Sequence, residues 1–299
     1  MPIRHFPFLL QRDGDRNIHG QWHVPGGADA KGTVLFLHGY KGYMDWGAWR
    51  QTGDAFAHAG WRFLRINFTH NGTRPESPSA FTDLDAFGRN THRRERDEAL
   101  DVLNALRDAG PASQPNPTAK GPLAVIGHSR GGGIACLAAH QGQRNLVQEG
   151  KPGVTHLVTW AAVADFLSRF PTGKALESWQ ETGQMEVINH RTRQRLHHDW
   201  QFYTDFLEHE AALNIETAVR GFDGPALIAH AEDDGAVDVE HAHQLQSWAA
   251  DPTLFLLEQG GHTFGAKEPW TKPHMPPVHQ ALTQTTLRFL EEGRAVQQG

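Results

Sequence analysis

Leu123-Ala124-Val125-Ile126-Gly127-His128-Ser129-Arg130-Gly131-Gly132-Gly133 is the stretch from which the fold is read. The apolar run Leu123 to Ile126 predicts a short buried strand, and Ile134 to Ala139 reads as the helix that follows. Gly-x-Ser-x-Gly between a strand and a helix forms a turn that presents its serine at the helix N-terminus, in the open above a sheet. The turn is too tight for side chains beside the serine, so glycine takes the flanking positions, where positive φ or close approach is needed. Ser129 is therefore a candidate nucleophile. The alternative is an ordinary strand-to-helix turn.

Working outward, Thr33 to Leu37, Arg62 to Phe68, Val154 to Trp160, Ala226 to His230 and Thr253 to Leu257 are further short strands, of the kind covered on both faces. Asp45 to His58, Arg93 to Leu106 and Val278 to Leu290 have helical spacing. Strands alternating with helices predict parallel βαβ units. Ile3 to Val24 reads as an antiparallel hairpin turning at Arg12-Asp13-Gly14-Asp15. Thr69 to Asn90 is a long polar loop, and Pro111 to Pro122 a proline-rich surface connection. The chain, residues 1–299, reads as one α/β domain with a mostly parallel central sheet flanked by helices.

One interval breaks the alternation. Between Trp160 and Pro225 there is room for more than one crossover helix, and residues 164–210 are expected to form a small inserted cap over the site. A pair of ordinary packing helices is the alternative. Trp179, Trp200, Phe202 and Tyr203 in this interval suit an apolar or aromatic part of a substrate, and equally a core.

Composition narrows the function. A net charge of −6 gives no basic surface for nucleic acid. The one cysteine, Cys136, has apolar neighbours and no internal disulfide partner, which fits a reducing, cytoplasmic setting. Phe6-Pro7-Phe8-Leu9-Leu10 is too short for a signal-peptide core or a membrane span, so a soluble chain with no membrane partner is expected. Self-association into a homo-oligomer stays open. The 20 histidines predict a net charge that changes strongly between about pH 5 and 7.

A serine hydroxyl needs a base within hydrogen-bond reach, and that base needs an orienting acid. With Ser129 first, the acid and the histidine are expected later in the chain, each just after a strand. Asp234, beyond the strand Ala226 to His230, is the preferred acid; Asp233 competes, with Glu232 and Asp238 weaker. Any of them could instead be a helix N-cap or a solvated loop charge. His262, in a glycine-rich loop after the last strand, is the candidate base. His241 and His243, two apart on a predicted helix, make a poor metal pair, and His197-His198 reads as a solvated pair. An oxyanion needs donors. The backbone N–H of Arg130 is one candidate and that of Tyr40, in His38-Gly39-Tyr40-Lys41-Gly42, the other, unless that loop is a simple turn. His70 and Asn71, after another strand, rim the same side and suit substrate contact or local support.

These segments, with Asp234-Gly235-Ala236-Val237 and Gly261-His262-Thr263-Phe264, carry a family resemblance over about residues 15 to 290. The chain resembles the α/β-hydrolase superfamily. Within it, it is similar to the single-domain bacterial group related to dienelactone hydrolases, acyl and cinnamoyl esterases and the catalytic domains of prolyl oligopeptidases. The resemblance implies a Ser129–Asp234–His262 triad with the Tyr40 and Arg130 amides as oxyanion hole, and no metal or organic cofactor. Asp238 stands where relatives often have proline, and Ser129 is not cysteine, which argues against a dienelactone hydrolase in the narrow sense. The expected activity is hydrolysis of a small-molecule carboxylic ester through an acyl-enzyme. A peptidase or amidase of the prolyl oligopeptidase type is the alternative, and a non-catalytic binding protein on the same fold the third reading.

Overall fold

In a computed structural model, residues 2–12, 16–27, 29–108 and 121–296 are described, with side chains to residue 292. Arg4–Leu10 (β1) and Ile18–Val24 (β2) pair antiparallel, Arg4 opposite Val24 and Leu10 opposite Ile18. Three of the four residues assigned to their turn, and most of the proline-rich connection, lie outside the described residues. Next come Thr33–Leu37 (β3), Trp49–His58 (α1), Arg62–Asn67 (β4), Leu84–Gly88 (α2) and His92–Arg107 (α3). Leu123–His128 (β5), Arg130–Gln148 (α4) and His156–Trp160 (β6) follow. Then come Lys174–Thr182 (α5), Gln184–Asn189 (β7), Gln194–Asp199 (β8), Gln201–Glu208 (α6) and Ile215–Arg220 (α7). The chain ends with Pro225–Ala231 (β9), Glu240–Trp248 (α8), Asp251–Leu257 (β10) and Pro277–Val296 (α9).

Eight strands form one sheet in the order β1-β2-β4-β3-β5-β6-β9-β10. The hairpin and the β2–β4 pair are antiparallel; the rest is parallel. Side chains alternate across a strand, and the core divides accordingly. Leu35, Leu37, Leu64, Ile66 and Val125 face α3, α4, α7 and α8. Val34, Phe36, Phe63, Ala124 and Ile126 face α1 and α9. Each of the Val, Leu, Ile and Phe side chains contributes roughly 1.5–3 kcal/mol by burial, so both sheet faces are well anchored and the ends of the parallel strands are fixed. No described helix is long and apolar enough to cross a membrane.

Three expectations need correction. The first helix begins at Trp49, not Asp45. Upstream, Asn67 Oδ1 accepts the Met44 N–H at 2.7 Å and Asp45 accepts Arg65 Nη1 at 2.6 Å, which ties the segment into a turn. The polar stretch after β4 holds a short helix, α2, capped by Asp83, whose Oδ1 accepts the Ala86 N–H at 3.1 Å. Between β6 and β9 the chain forms more than the pair of packing helices given as the alternative. α7 packs on α4 as the crossover helix, and ahead of it lies an insert built from α5, the β7–β8 hairpin and α6. Arg93 of α3 donates through Nε and Nη2 to Asp205 of α6 at 2.9 and 2.7 Å, pinning this insert to the domain.

Candidate active site

Ser129 has φ +56 and ψ −123, and α4 begins at the next residue. The left-handed φ thus falls on the serine itself, while its glycines serve close approach. A Cβ on Gly127 would stand 2.1 Å from Gly131 O, and one on Gly131 2.4 Å from His38 O. Holding a non-glycine residue in such a conformation costs of order 1–3 kcal/mol, and strain of this kind concentrates at functional sites.

β5, β9 and β10 end at the same rim of the sheet, and the loops after them converge. Asp234 Oδ2 accepts His262 Nδ1–H at 2.8 Å, which leaves His262 Nε2 to accept the Ser129 hydroxyl at 2.9 Å. Asp234 Oδ1 accepts the Ala236 and Val237 N–H groups at 2.8 and 3.0 Å. Burial works to raise this carboxyl, but hydrogen bonds from His230 and His262 and the Val237 amide outweigh it. The group is held well below the usual carboxylate range and is an anion near neutral pH. Asp233 is close but does something else: its Oδ1 accepts the Gly261 N–H at 2.7 Å, tethering the loop that carries His262.

Three histidines that the sequence reading left unassigned support this arrangement. His128 Nε2 donates to the His262 carbonyl at 2.8 Å. Burial, with the neighbouring His262, pushes His128 down to about 3, so it is a neutral donor. His38 Nδ1 donates to Gly39 O at 2.9 Å and holds the loop after β3. His230 Nε2 lies 2.9 Å from Val237 O and 3.3 Å from Asp234 Oδ2. Each sits at or just beyond a strand end beside a motif, a positional signal that was present in the sequence.

The Tyr40 and Arg130 N–H groups make no hydrogen bond among the described residues. The side chains of both residues are anchored. Arg130 Nη2 donates to buried Glu95 at 2.6 Å, and its guanidinium lies 4.7 Å from the centre of the Tyr40 ring. Tyr40 Oη and His198 Nε2 hydrogen-bond at 2.8 Å. His198 is buried and stacks on Phe87 and Phe202, so the expectation of a solvated His197-His198 pair fails for His198. The hairpin folds it inward against the loop after β3.

A cavity of about 440 Å³ opens beside Ser129 and His262. Phe166, Phe170, Met185, Val187 and Phe202 give it an apolar wall, interrupted by Lys41, His92, Arg130, Arg169 and His198. Trp179, Trp200 and Tyr203 are not on its lining; they pack against one another inside the insert, and Trp179 Nε1 donates to His198 O at 3.0 Å. His70 and Asn71 are likewise absent from the lining. Asn71 Nδ2 reaches His38 Nε2 and Gly42 O, both at 3.3 Å, which is support for the loop after β3. A larger cavity, about 560 Å³ between β2 and the loop after β4, contains none of the candidate catalytic residues.

One group of metal-ligand types occurs among the described residues, His5, His23 and Asp54. Arg65 Nε donates to His23 Nε2 at 2.9 Å, so the ring proton sits on Nδ1 and is donated to Asp54 at 2.6 Å. That tautomer hydrogen-bonds where a metal ligand would have to offer a lone pair.

The sequence matches the alpha/beta hydrolase family over residues 34–271. No curated protein matches it significantly. Similar solved structures include Est1E from Butyrivibrio proteoclasticus with ferulic acid bound, 15% identical, covering 96% of this chain and 99% of that one, TM-score 0.68. A dienelactone hydrolase from Anabaena variabilis is 15% identical over 97% of this chain and 98% of its own, TM-score 0.62. An acylaminoacyl peptidase from Pyrococcus horikoshii is 14% identical, covering 98% of this chain but 42% of that one, TM-score 0.59. At such identities the likeness is one of fold. The family match spans most of the chain, from β3 through the loop that bears His262, and the protein is accordingly a member of the alpha/beta hydrolase family.

Proposed function

We propose that this protein is a serine hydrolase that cleaves carboxylic esters through an acyl-enzyme. The observation that carries the reading is the unbroken hydrogen-bond run Asp234–His262–Ser129 at the mouth of a cavity. In it, Ser129 Oγ attacks the ester carbonyl while His262 Nε2 takes its proton. The charged Asp234 stabilises the imidazolium and fixes its tautomer. The Tyr40 and Arg130 amides face the developing oxyanion. His262 then gives its proton to the leaving alcohol, and water, activated by the same imidazole, releases the acid. The insert acts as a cap, and its Met185, Val187 and Phe202, with Phe166 and Phe170, suit an aromatic or apolar acyl group.

A fluorophosphonate probe is expected to label the wild type and not Ser129→Ala; a folded wild type that stays unlabelled removes the reading. A panel of aryl esters of graded acyl size, run beside matched anilides, separates esterase from amidase activity. Asp234→Asn is expected to lower kcat about 10⁴-fold, because the imidazole loses its correct tautomer. Asp233→Asn is expected to cost less than about tenfold, because an amide oxygen still accepts the Gly261 N–H. The reverse ranking in steady-state kinetics would move the acid by one residue.

A further inference from the structure

Two cavities share Ser129 and His262 in their linings, and only one of them has the apolar wall that suits an apolar part of an ester. The second, about 250 Å³, is lined by Trp46, Thr263, Asn189 at the end of β7 and His190 and Arg191 in the turn after it, and by Lys41, which lines the first cavity too. No carboxylate lines it, although the chain as a whole carries −6. The exposed Arg191 guanidinium makes no hydrogen bond or ion pair among the described residues; only its backbone N–H is engaged, by Asn189 Oδ1 at 3.2 Å. Asn189 is 6% exposed, and its amide nitrogen is buried without a partner. Lys41 Nζ donates to Ile188 O at 3.2 Å, which uses one of three protons. A guanidinium, an ammonium and an unanswered amide donor around one small space are donors lacking an acceptor, and a carboxylate supplies it.

We propose that this second cavity is an anion subsite, in which Arg191, Lys41 and the Asn189 amide receive a carboxylate carried by the substrate on the far side of the scissile ester from its apolar part. The substrate class is then an ester joining an aromatic or apolar group to a hydroxy acid or to one end of a dicarboxylic acid. The inference rests on the esterase reading for the position of the scissile bond.

Binding to Ser129→Ala, which removes the attacking oxygen, tests it without requiring turnover. Two acids, benzoyloxyacetate and monobenzyl succinate, place the carboxylate on the alcohol side and the acyl side respectively, and each is titrated beside its neutral methyl-capped analogue. One acid is expected to bind about tenfold or more tighter than its capped analogue, an excess that shrinks as salt rises. Adding Arg191→Gln, on an exposed turn where folding is not at stake, is expected to bring that ratio toward one; Lys41→Gln provides a second variant. Equal binding of acid and analogue in both pairs overturns the proposal, as does a preference that survives both substitutions or the absence of binding by all four compounds. Hydrolysis of the capped esters by the wild type reports on the esterase reading separately.

Discussion

Ser129→Ala is expected to lower kcat on an accepted ester by about 10³–10⁶-fold with the fold intact, and His262→Ala to do the same. The fold should survive because among the described residues the Ser129 hydroxyl makes one hydrogen bond, to His262, and alanine must adopt the same left-handed φ that serine already bears. In the proposed mechanism Ser129 and His262 act on one proton, so their effects are expected not to be additive. The double variant is expected to be about as slow as either single one, the residual rate coming from the oxyanion amides and substrate binding. Single-turnover kinetics with circular dichroism on all three variants checks this. Near-normal turnover from either pure single variant would remove that residue from the chemistry.

The second large effect is on stability. Burial lowers His128, His198 and His279 to about 3 and His23, His38 and His156 to about 4, from an ordinary value of 6.5. His92 is also driven well down by burial. These groups stay neutral in the folded chain and protonate in the unfolded one. The stability they confer is complete above about pH 6.5 and is lost as pH falls toward 4 and 3. Glu95 and Glu98, both raised by burial and the latter to about 7, act in the opposite sense over the same range. Two carboxyls do not balance seven imidazoles. At about 1.4 kcal/mol per pH unit for an imidazole kept neutral below its ordinary value, the balance is a net loss of stability between pH 7 and 5. The urea midpoint is therefore expected to fall steeply between pH 7 and 5, with net proton uptake on unfolding. A midpoint flat over that range would contradict it.

The same burial explains why composition misleads about charge. Twenty histidines suggest a large charge swing near neutral pH, but those packed beneath the rim or against aromatic rings do not take part in it while the chain is folded. The parallel strands were legible because each is a short, continuous apolar run, buried along its length in β3, β5 and β6. The placement of Ser129, Asp234 and His262 was legible because each follows a strand, and strand ends share a rim. The β7–β8 hairpin was not. Met185 and Val187 alternate with polar residues as a half-buried strand requires, yet Ile188 is exposed at 45% and the run is dense in Arg and His, which masks the period. Nor could the sequence divide the insert's aromatics between cavity and interior, since Phe202 and Tyr203 are adjacent and only Phe202 faces the cavity.

β6 and β9 are neighbours in the sheet, and everything between them leaves and returns across that single gap. The walls of both cavities owe much to this excursion, whereas Ser129, Asp234 and His262 are held by loops outside it. Selectivity and reactivity are thus encoded in separable stretches. A lineage could lengthen, shorten or swap the excursion by recombination and acquire new substrates while inheriting the chemistry unchanged.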